Sequence, residues 1–423
     1  MNPRELLLDS FHAAIGAADP LKIVPSHLPE PPKGNTLVVG AGKAAAAMAR
    51  AVEENWPAGN PLEGIVVTPY RHGLTTNSIM VIEASHPVPD TQGEMAARAM
   101  LESVRLLGPD DLLLGLFSGG GSSLLSAPVP GVTLDELKSI TRQLLRCGAA
   151  IQEINIVRKH LSVVLGGRLT AASRAPVQSL IISDVTDNDP SSIASGPCAP
   201  DASTWRDVLA LIERYAITVS PHVLQTLQEN SRTGRNETLK PGDPVFRNVK
   251  NRIIATARQS LTAAAQFFRM QGVTPLILGD TVTGEAREIA RMQAAIVREV
   301  RHYSNPSKPP VALISGGETT VTVKGSGKGG RNTEFLLSLA IALNGLEEVY
   351  ALACDTDGID GSETNAGAII APDTLHRAGQ AGIDPITLLD NNNAWAFFNL
   401  LGDLVVTGPT RTNVNDYRVI LIL

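Results

Sequence analysis

The chain has few cysteines and no excess of positive charge, and each shortage narrows the class of protein. Its 423 residues include three cysteines, far apart and without a CxxC or Cys/His pair, so neither a disulfide framework nor a structural zinc is expected. The formal net charge of −6 argues against nucleic acid or an anionic membrane as partner, because both require a clustered basic surface. A small-molecule substrate is the favoured partner.

Long apolar runs are also missing, and none approaches the length of a membrane span. The first residues carry Glu5 and Asp9, without a long apolar segment or a small-residue cleavage site. These absences predict a cytoplasmic protein with no membrane partner. At 43% hydrophobic residues, the chain can form two or more domains with sizeable cores. A homo-oligomer is compatible with this composition.

Short apolar runs alternate with helical patterns in the first half of the chain, which predicts βαβ units and a Rossmann-like, mostly parallel sheet. Asp90 and Thr133 are expected to cap two of the helices. The polar segment Ser231–Phe246 is typical of a linker, so we predict domains at 1–243 and 244–423. The short turn between Ser315 and Val323 suits a hairpin, which predicts a mixed-sheet α/β fold for the second domain.

Two glycine-rich segments, Ser118–Ser123 and Ser315–Asn332, each begin where an apolar run stops. Glycines let the backbone approach an anion, their N–H groups can converge on its oxygens, and a following helix adds a favourable dipole. The pair predicts polyphosphate binding. For Lys328 the alternative is a surface hairpin with solvated charges. The candidate contacts are Ser118, Gly119, Gly120, Gly121, Ser122, Ser123, Gly316, Gly317, Glu318, Lys328 and Gly330.

The turn GAGKAA, with Gly40 and Gly42, has the GxGxxA skeleton of a dinucleotide fingerprint. However, the next apolar run leads into Thr68 and Pro69, with no acid to hold a ribose hydroxyl. Lys43 lies inside the turn, where it could contact a substrate carboxylate or phosphate; a solvated lysine is the alternative. Neither lysine-bearing loop matches GxxxxGK[ST], so a Walker ATPase is not expected.

Two acidic clusters, at Ser183–Pro190 and Asp355–Gly361, follow apolar runs, where open α/β sheets bind ligands. Their carboxylates suit Mg²⁺, and the candidates for it are Asp184, Asp355 and Asp357, although each could instead cap a turn. A serine hydrolase that pairs Ser122 with His86 or His160 is disfavoured, because no GxSxG elbow occurs.

Taken in order, six motifs resemble those of class II glycerate 2-kinases, often labelled hydroxypyruvate reductases in tartrate degradation and carrying a C-terminal MOFRL-type domain. The similarity is end to end. It implies an active site in the cleft between the two domains and the ATP- and Mg²⁺-dependent phosphorylation of D-glycerate to 2-phosphoglycerate. The motifs are VVGAGKAAAAMA, SHPVPD, LFSGGGSSLL, ISDVTDNDP, ISGGETTVTVKGSGKGGRNTEFLL and ACDTDGIDGSETNAGA.

The resemblance also implies roles for particular residues. The family's basic pair falls on Lys43 and Arg331, with Asp184 or Asp187, Glu318 and Asp355 around them. Our working hypothesis is that the two cations face substrate and transferring phosphate, and that Asp184 or Asp187 orients or deprotonates the 2-hydroxyl. Replacing either cation by alanine is expected to lower turnover at least about a hundredfold while thermal stability stays near wild type.

Two other functions compete with this hypothesis. A nicotinamide-dependent hydroxypyruvate reductase is favoured by the GxGxxA turn and opposed by the missing strand-end acid and by the second glycine-rich segment. A non-catalytic sugar-acid or nucleotide sensor would bind ligand tightly without turnover. Only the resemblance distinguishes 2-phosphorylation from 3-phosphorylation.

Overall fold

The computed structural model describes residues 2–423, which form two compact units. Residues 20–254 form the Rossmann-like unit, and residues 2–19 together with 255–423 form the mixed-sheet unit. The domain boundary predicted at 243/244 lies at 254/255 in the structure, and residues 2–19 belong to the second unit rather than the first. Helix α1 (Pro3–Gly16) packs Leu7 and Phe11 into one apolar cluster with Phe268 and Tyr417, and this burial places the start of the chain in the mixed-sheet unit.

The Rossmann-like unit is built on a six-stranded sheet in the order β3-β2-β1-β4-β5-β6. Strands β1 to β5 run parallel, which confirms the Rossmann-like prediction. The strand order reverses between β1 and β4, and in open sheets of this kind ligands bind at the carboxyl ends beside such a reversal. The strands are β1 (Thr36–Ala41), β2 (Leu62–Pro69), β3 (Ile79–Ala84), β4 (Leu112–Phe117), β5 (Val177–Ile182) and β6 (Val249–Ala255).

Helices cover this sheet and form a second apolar cluster around Trp205. The two predicted caps are confirmed, since the Asp90 side chain accepts from the Gly93 N–H and that of Thr133 from the Glu136 N–H. Two short 3₁₀ turns lie at Val24–His27 and Ile193–Ser195, and a third lies at Pro244–Asn248. The helices are α2 (Pro20–Ile23), α3 (Ala45–Asn55), α4 (Thr91–Leu106), α5 (Gly121–Leu124), α6 (Leu134–Arg146), α7 (Ile151–His160), α8 (Arg168–Ala172), α9 (Trp205–Arg214) and α10 (Pro221–Thr233).

The polar segment Ser231–Phe246 is not the predicted linker. The Leu239 N–H donates to the Gly166 carbonyl at 3.0 Å, and the Leu239 carbonyl accepts from the Asp201 N–H at 2.7 Å. Glu237 contacts the buried His160 at 2.8 Å. The segment is held by hydrogen bonds rather than by apolar packing, so its sequence shows no apolar period, and β6 beyond it belongs to the first sheet.

The mixed-sheet unit contains a sheet in the order β11-β10-β9-β12-β8-β7. Strands β7 and β8 are parallel and the other pairs antiparallel, which confirms a mixed sheet. Its strands are β7 (Thr274–Glu285), β8 (Val311–Thr320), β9 (Val349–Asp355), β10 (Gly367–Ile370), β11 (Leu404–Val405) and β12 (Asp416–Ile422). Its further helices are α11 (Ala257–Met270), α12 (Ala286–Tyr303), α13 (Arg331–Leu343), α14 (Thr374–Gln380), α15 (Pro385–Asp390) and α16 (Ala394–Leu401). Across residues 2–423, no helix is both long and apolar enough to cross a membrane.

The predicted hairpin after Ser315 is wrong, because β8 continues without a turn to Thr320. Gly317 has a φ of +110°, and a Cβ at that position would lie 2.3 Å from the Val282 carbonyl oxygen on β7. Only glycine allows β7 and β8 to approach this closely. The Gly316–Gly317 pair thus serves the sheet rather than a turn.

Candidate functional site

Two of the predicted turns meet at the strand-order reversal of the Rossmann-like unit. The Lys43 N–H, after β1, donates to the Gly119 carbonyl at 2.9 Å, and the Ser118 N–H, after β4, donates to the Ala41 carbonyl at 3.1 Å. The Ser118 hydroxyl accepts from the Ala44 N–H at 3.0 Å. These bonds join the GAGK turn and the SGGGSS turn into one rigid loop pair.

Glycine is required at two points of this loop pair. Gly42 has a φ of +133°, and a Cβ there would lie 2.2 Å from the Ser118 hydroxyl oxygen. Gly120 has a φ of +84°, and its Cβ position lies 3.1 Å from the His86 ring and 3.6 Å from Cγ of Lys43. The structure therefore gathers Lys43, Gly120 and His86 beside one another, from the loops after β1, β4 and β3.

The serines of the SGGGSS turn make bonds within the protein. The Ser122 hydroxyl lies 2.8 Å from the Ser195 hydroxyl, and the Ser123 hydroxyl donates to the Gly120 carbonyl at 3.2 Å. Ser195 has a φ of +57°, a left-handed conformation that costs free energy and is concentrated at functional sites. Because Ser122 contacts Ser195 while His160 contacts Glu237, a Ser122–His160 hydrolase pair is ruled out.

The first acidic cluster follows β5, the neighbour of β4. Asp184 is half-buried, whereas Asp187 is exposed and accepts from the Asp189 N–H at 3.3 Å. Asp184 thus lies closer to the end of the strand and is better shielded from water. Of the two aspartates, it is the stronger candidate for a site at the carboxyl edge of the parallel sheet.

Arg331 opens α13 and is held by three carboxylates. It donates to Asp416 at 2.8 Å, to Asp355 at 2.7 Å and to Glu318 at 3.1 Å. Burial by itself would lower the pKa of the guanidinium, but the Asp416, Asp355 and Glu318 charges outweigh it and raise the pKa well above its ordinary value. The structure confirms the predicted proximity of Arg331, Glu318 and Asp355. Because three carboxylates depend on this charge, we now expect removal of Arg331 to lower stability as well as turnover.

Asp416 is the member of this cluster that the sequence did not indicate. Besides Arg331 it accepts from the Asn332 amide at 2.8 Å and from the fully buried Arg418 at 3.1 Å. It is the first residue of β12, two positions before Arg418. An aspartate and an arginine alternating with apolar residues at a strand start would have been the signal.

Asp355 and Asp357, two of the predicted Mg²⁺ candidates, accept hydrogen bonds from nearby groups, and their metal role stays a prediction. One Asp355 oxygen accepts from Arg331 and the other from the Asp357 N–H at 3.0 Å, while Asp357 accepts from the Ile359 N–H at 2.8 Å. Carboxylates engaged in this way support the loop and the arginine. Within residues 2–423, no group of three or more acidic, histidine or cysteine side chains is arranged as a metal site.

The second glycine-rich segment is fastened to a run of three asparagines, Asn391–Asn393. Asparagine side-chain oxygens accept from the backbone N–H groups of Lys324, Gly325, Ser326 and Lys328 at 2.7–3.1 Å. The Gly327 N–H donates to the Asn391 carbonyl at 2.9 Å. These N–H groups bind the protein itself, so the predicted phosphate cradle is corrected here. The run NNN was the signal that sequence reasoning missed.

Lys328 and Gly330 also have partners in this unit. The Lys328 ammonium pairs with Glu363 at 3.2 Å and lies over the Trp395 ring at 5.5 Å. A Cβ on Gly330 would lie 2.3 Å from an Asp360 oxygen. Beside the segment is a cavity of about 280 Å³, whose walls include Thr319, Val321, Arg331 and Glu334.

Two protein-family models match this chain, one toward each end of the sequence. Residues 6–228 match the family model described as "Domain of unknown function (DUF4147)", and residues 311–416 match the "MOFRL family". The first model alone spans more than half of the chain. The fold and these two matches define a protein of DUF4147–MOFRL organisation.

Full-length relatives narrow the class. The chain is 39% identical to the "D-glycerate 2-kinase" of Thermotoga maritima, over 99% of this chain and 98% of the relative. It is 48% identical to an Agrobacterium vitis protein with a provisional name as a hydroxypyruvate reductase, over 100% of this chain and 95% of the relative. A crystal structure of a Thermotoga maritima glycerate kinase has a TM-score of 0.86 and 38% identity, covering 99% of both chains. The chain belongs to the class II glycerate kinase family.

Proposed function

We propose that this protein is a glycerate 2-kinase, which transfers the γ-phosphoryl group of ATP to the 2-hydroxyl of D-glycerate and releases ADP and 2-phosphoglycerate. The observation that carries the proposal is the loop pair at the strand-order reversal, where Lys43, Gly120 and His86 adjoin. It occurs in a chain that matches a D-glycerate 2-kinase from end to end. In-line phosphoryl transfer needs positioned charge more than covalent chemistry.

Within this proposal, Lys43 neutralises oxyanion charge that moves toward the leaving group in the transition state. Its backbone is fixed by the bond to Gly119 and by the neighbouring Ala44–Ser118 bond, so little reorganisation is needed during transfer. The Gly119–Ser123 turn offers closely approachable backbone, with Gly120 as its most accessible glycine. Arg331, whose positive charge the three carboxylates stabilise, is a separate candidate for a catalytic role.

The nucleotide and the metal are part of the proposal. Mg²⁺ commonly takes one or two protein carboxylates and completes its shell with water and phosphate oxygens. Asp184 is half-buried and lies two residues beyond β5, at the carboxyl edge of the parallel sheet, where ligands of open α/β sheets bind, and this position makes it our first candidate for the metal. A Mg²⁺ held by Asp184 would offset phosphate charge. If Asp184 does not hold the metal, its proposed role is to orient or deprotonate the 2-hydroxyl.

Two readouts on Asp184→Asn separate these roles. If Asp184 holds the metal, the variant needs much more Mg²⁺ for half-maximal rate, and its pH–rate profile keeps its shape. If Asp184 takes the hydroxyl proton, the acidic limb of the profile disappears and the Mg²⁺ requirement stays the same. Asp187→Asn is measured in parallel, since Asp187 is the other candidate aspartate and is exposed on the same loop. Either effect seen in Asp187→Asn alone would transfer the role to Asp187.

The function itself is tested with purified protein, D-glycerate, ATP and Mg²⁺, by following ADP release and identifying the product by ³¹P NMR. We expect 2-phosphoglycerate, and we expect its formation to stop on addition of EDTA. A parallel assay supplies hydroxypyruvate and NAD(P)H. Nicotinamide oxidation without ADP release would overturn the kinase proposal in favour of the reductase, which is disfavoured because β2 ends at Pro69 without a ribose-binding acid. If neither assay shows product or nucleotide consumption, but glycerate binds tightly, a sensor would be favoured.

A cytoplasmic location and a homo-oligomeric state remain predictions of the sequence. Cell fractionation tests the first, and sedimentation of the purified protein tests the second.

A further inference from the structure

Helix α7 carries two neighbouring polar side chains that lack partners. Asn155 and Arg158 are three residues apart in sequence, so they lie next to each other on one face of the helix. Asn155 is 8% exposed, and its side-chain oxygen has no hydrogen-bond partner. The half-buried Arg158 guanidinium makes no hydrogen bond or ion pair with any residue in the described range 2–423.

The other charged groups around α7 differ from Arg158, because each of them is compensated. Lys159 pairs with Asp201 at 3.3 Å, and His160 with Glu237 at 2.8 Å. Arg158 has no such acid, and desolvation lowers its pKa to about 10. A guanidinium withdrawn from water without a counter-ion costs free energy, and a bound anion would recover that cost.

The position of α7 connects this pair to the candidate site. The helix packs against the 3₁₀ turn Ile193–Ser195. That turn also packs against α5, which begins within the SGGGSS turn. Ser195 and Ser122 join the two elements at 2.8 Å. The face of α7 that bears Val157 and Leu161 is occupied by the apolar cluster around Trp205. The helix that bears Asn155 and Arg158 is thus connected to the first glycine-rich segment through a single intervening turn.

The two unused groups have complementary requirements. A guanidinium offers parallel N–H donors that match a carboxylate or a phosphoryl group. The Asn155 oxygen needs a donor, which a fully ionised polyphosphate lacks and a hydroxyl supplies. A ligand with a carboxylate and a hydroxyl close together satisfies both, so the pair favours a hydroxy acid over the nucleotide phosphates.

We propose that Asn155 and Arg158 form a subsite for the hydroxy-acid substrate, in which Arg158 binds its carboxylate and Asn155 accepts a hydrogen bond from a hydroxyl. This inference deepens the proposed function and rests on it for the identity of the substrate as D-glycerate.

The test replaces Arg158 by methionine, which keeps the length of the side chain and removes its charge, and measures KM for glycerate and for ATP separately. We expect KM for glycerate to rise about ten- to a hundredfold, as for loss of a charged hydrogen bond, while KM for ATP stays within about twofold. The melting temperature without ligand should be unchanged or higher, because an uncompensated charge has been removed. Arg142→Met, on the exposed side of α6, is the matched control.

Three results would overturn the proposal. An unchanged KM for glycerate would exclude Arg158 from the subsite, a rise in KM for ATP alone would assign the anion to the nucleotide, and a lower melting temperature with normal KM values would make Arg158 structural. If Arg158→Met does not fold, Arg158→Lys keeps the charge but lacks the two parallel N–H donors of the guanidinium. It should then raise KM for glycerate above the wild-type value and leave KM for ATP within about twofold, and an unchanged KM for glycerate would overturn the proposal.

Thermal shift with D-glycerate alone separates this proposal from the kinase assignment. Glycerate should raise the melting temperature of the wild type and have little effect on Arg158→Met. Asn155→Leu should reduce the shift given by glycerate while leaving the smaller shift given by propionate, which lacks the hydroxyl. Wild type that phosphorylates glycerate but shows no Arg158 dependence would reject the subsite alone. Wild type with an Arg158-dependent shift but no ADP release would reject the kinase alone.

Discussion

The two glycine-rich segments are similar in composition, but their surroundings differ. One lies beside a candidate ligand site, and the other is bound through its N–H groups to another part of the chain. The SGGGSS turn at Ser118–Ser123 is hydrogen-bonded to the GAGK turn, and its Gly120 lies beside Lys43 and His86. The segment Gly325–Gly330 is fastened by Asn391–Asn393, whose oxygens take up its N–H groups. Glycine richness thus has two causes here, close approach to a candidate ligand site and close approach to another part of the same chain.

The cations beside these segments differ in the same way. Lys43 is half-buried in the first loop pair, where its backbone N–H donates to Gly119. Arg331, directly after the second segment, is bound by three carboxylates. A charge held in this manner is both a candidate for catalysis and a structural element. The comparison therefore predicts that loss of Arg331 affects folding and activity, and that loss of Lys43 affects activity alone.

The largest effect is expected for Arg331→Ala. Removing the guanidinium leaves the buried Asp355 without its counter-ion and Asp416 with Arg418 alone, which costs about 3–5 kcal/mol of unfolding free energy. Turnover should fall at least about a hundredfold. Urea unfolding and steady-state kinetics measure the two effects. The exposed Arg258→Ala on α11 is the control. A variant with wild-type stability would show that the carboxylates do not depend on Arg331, and the comparison would fail.

Lys43→Ala is expected to lower turnover by a similar factor, at least about a hundredfold, with a melting temperature close to wild type. The lysine backbone bond to Gly119 is retained in the variant, so the loop pair stays in place. The exposed Lys308→Ala should change neither property. Normal turnover in Lys43→Ala would remove the first loop pair from the mechanism.

What the sequence predicted well was local along the chain. Strand, turn and helix follow one another within a few residues around Lys43 and around Ser118, so the parallel sheet and the first loop pair could be inferred from periodicity and glycine spacing. The remaining candidates at this edge, Asp184 and Asp187, were located by the same rule.

What the sequence did not predict depends on contacts between distant residues. Asp416 reaches Arg331 across 85 positions, and Asn392 reaches Lys324 across 68. Helix α1 joins a core whose other members lie beyond residue 254. The Gly316–Gly317 pair resembled a turn because glycine is as suitable for close strand contact as for reversal of the chain, and only the position of β7 distinguishes the two.

A smaller effect is expected for Asn392→Ala. The side chain accepts from Lys324 and Gly325 and donates to Glu334 at 3.0 Å, so its loss leaves buried groups unpaired at about 1–3 kcal/mol each. We expect the melting temperature to fall and turnover to drop less than about tenfold. The exposed Asn399→Ala on α16 is the control. A hundredfold loss of turnover at unchanged stability would mean that the second segment binds ligand after all.

The smallest effects come from adding one methyl group to each segment. In Gly327→Ala the new Cβ would lie 2.4 Å from Cβ of Asn393 and 2.5 Å from the Asn391 carbonyl oxygen, a clash worth about 1–3 kcal/mol of stability. In Gly120→Ala it would lie 3.1 Å from the His86 ring, at a φ of +84°, with about 1–2 kcal/mol of backbone strain.

The two alanine variants are distinguished by the ratio of their effects on rate and on stability. Gly120→Ala should raise KM or lower turnover more than its stability loss explains, because the methyl group intrudes beside Lys43. Gly327→Ala should lose stability with near-normal kinetics. Gly379→Ala, whose Cβ meets nothing within 4 Å on helix α14, should be neutral or slightly stabilising, since alanine is favoured over glycine in helices. If Gly327→Ala impaired catalysis and Gly120→Ala only stability, the roles assigned to the two segments would have to be exchanged.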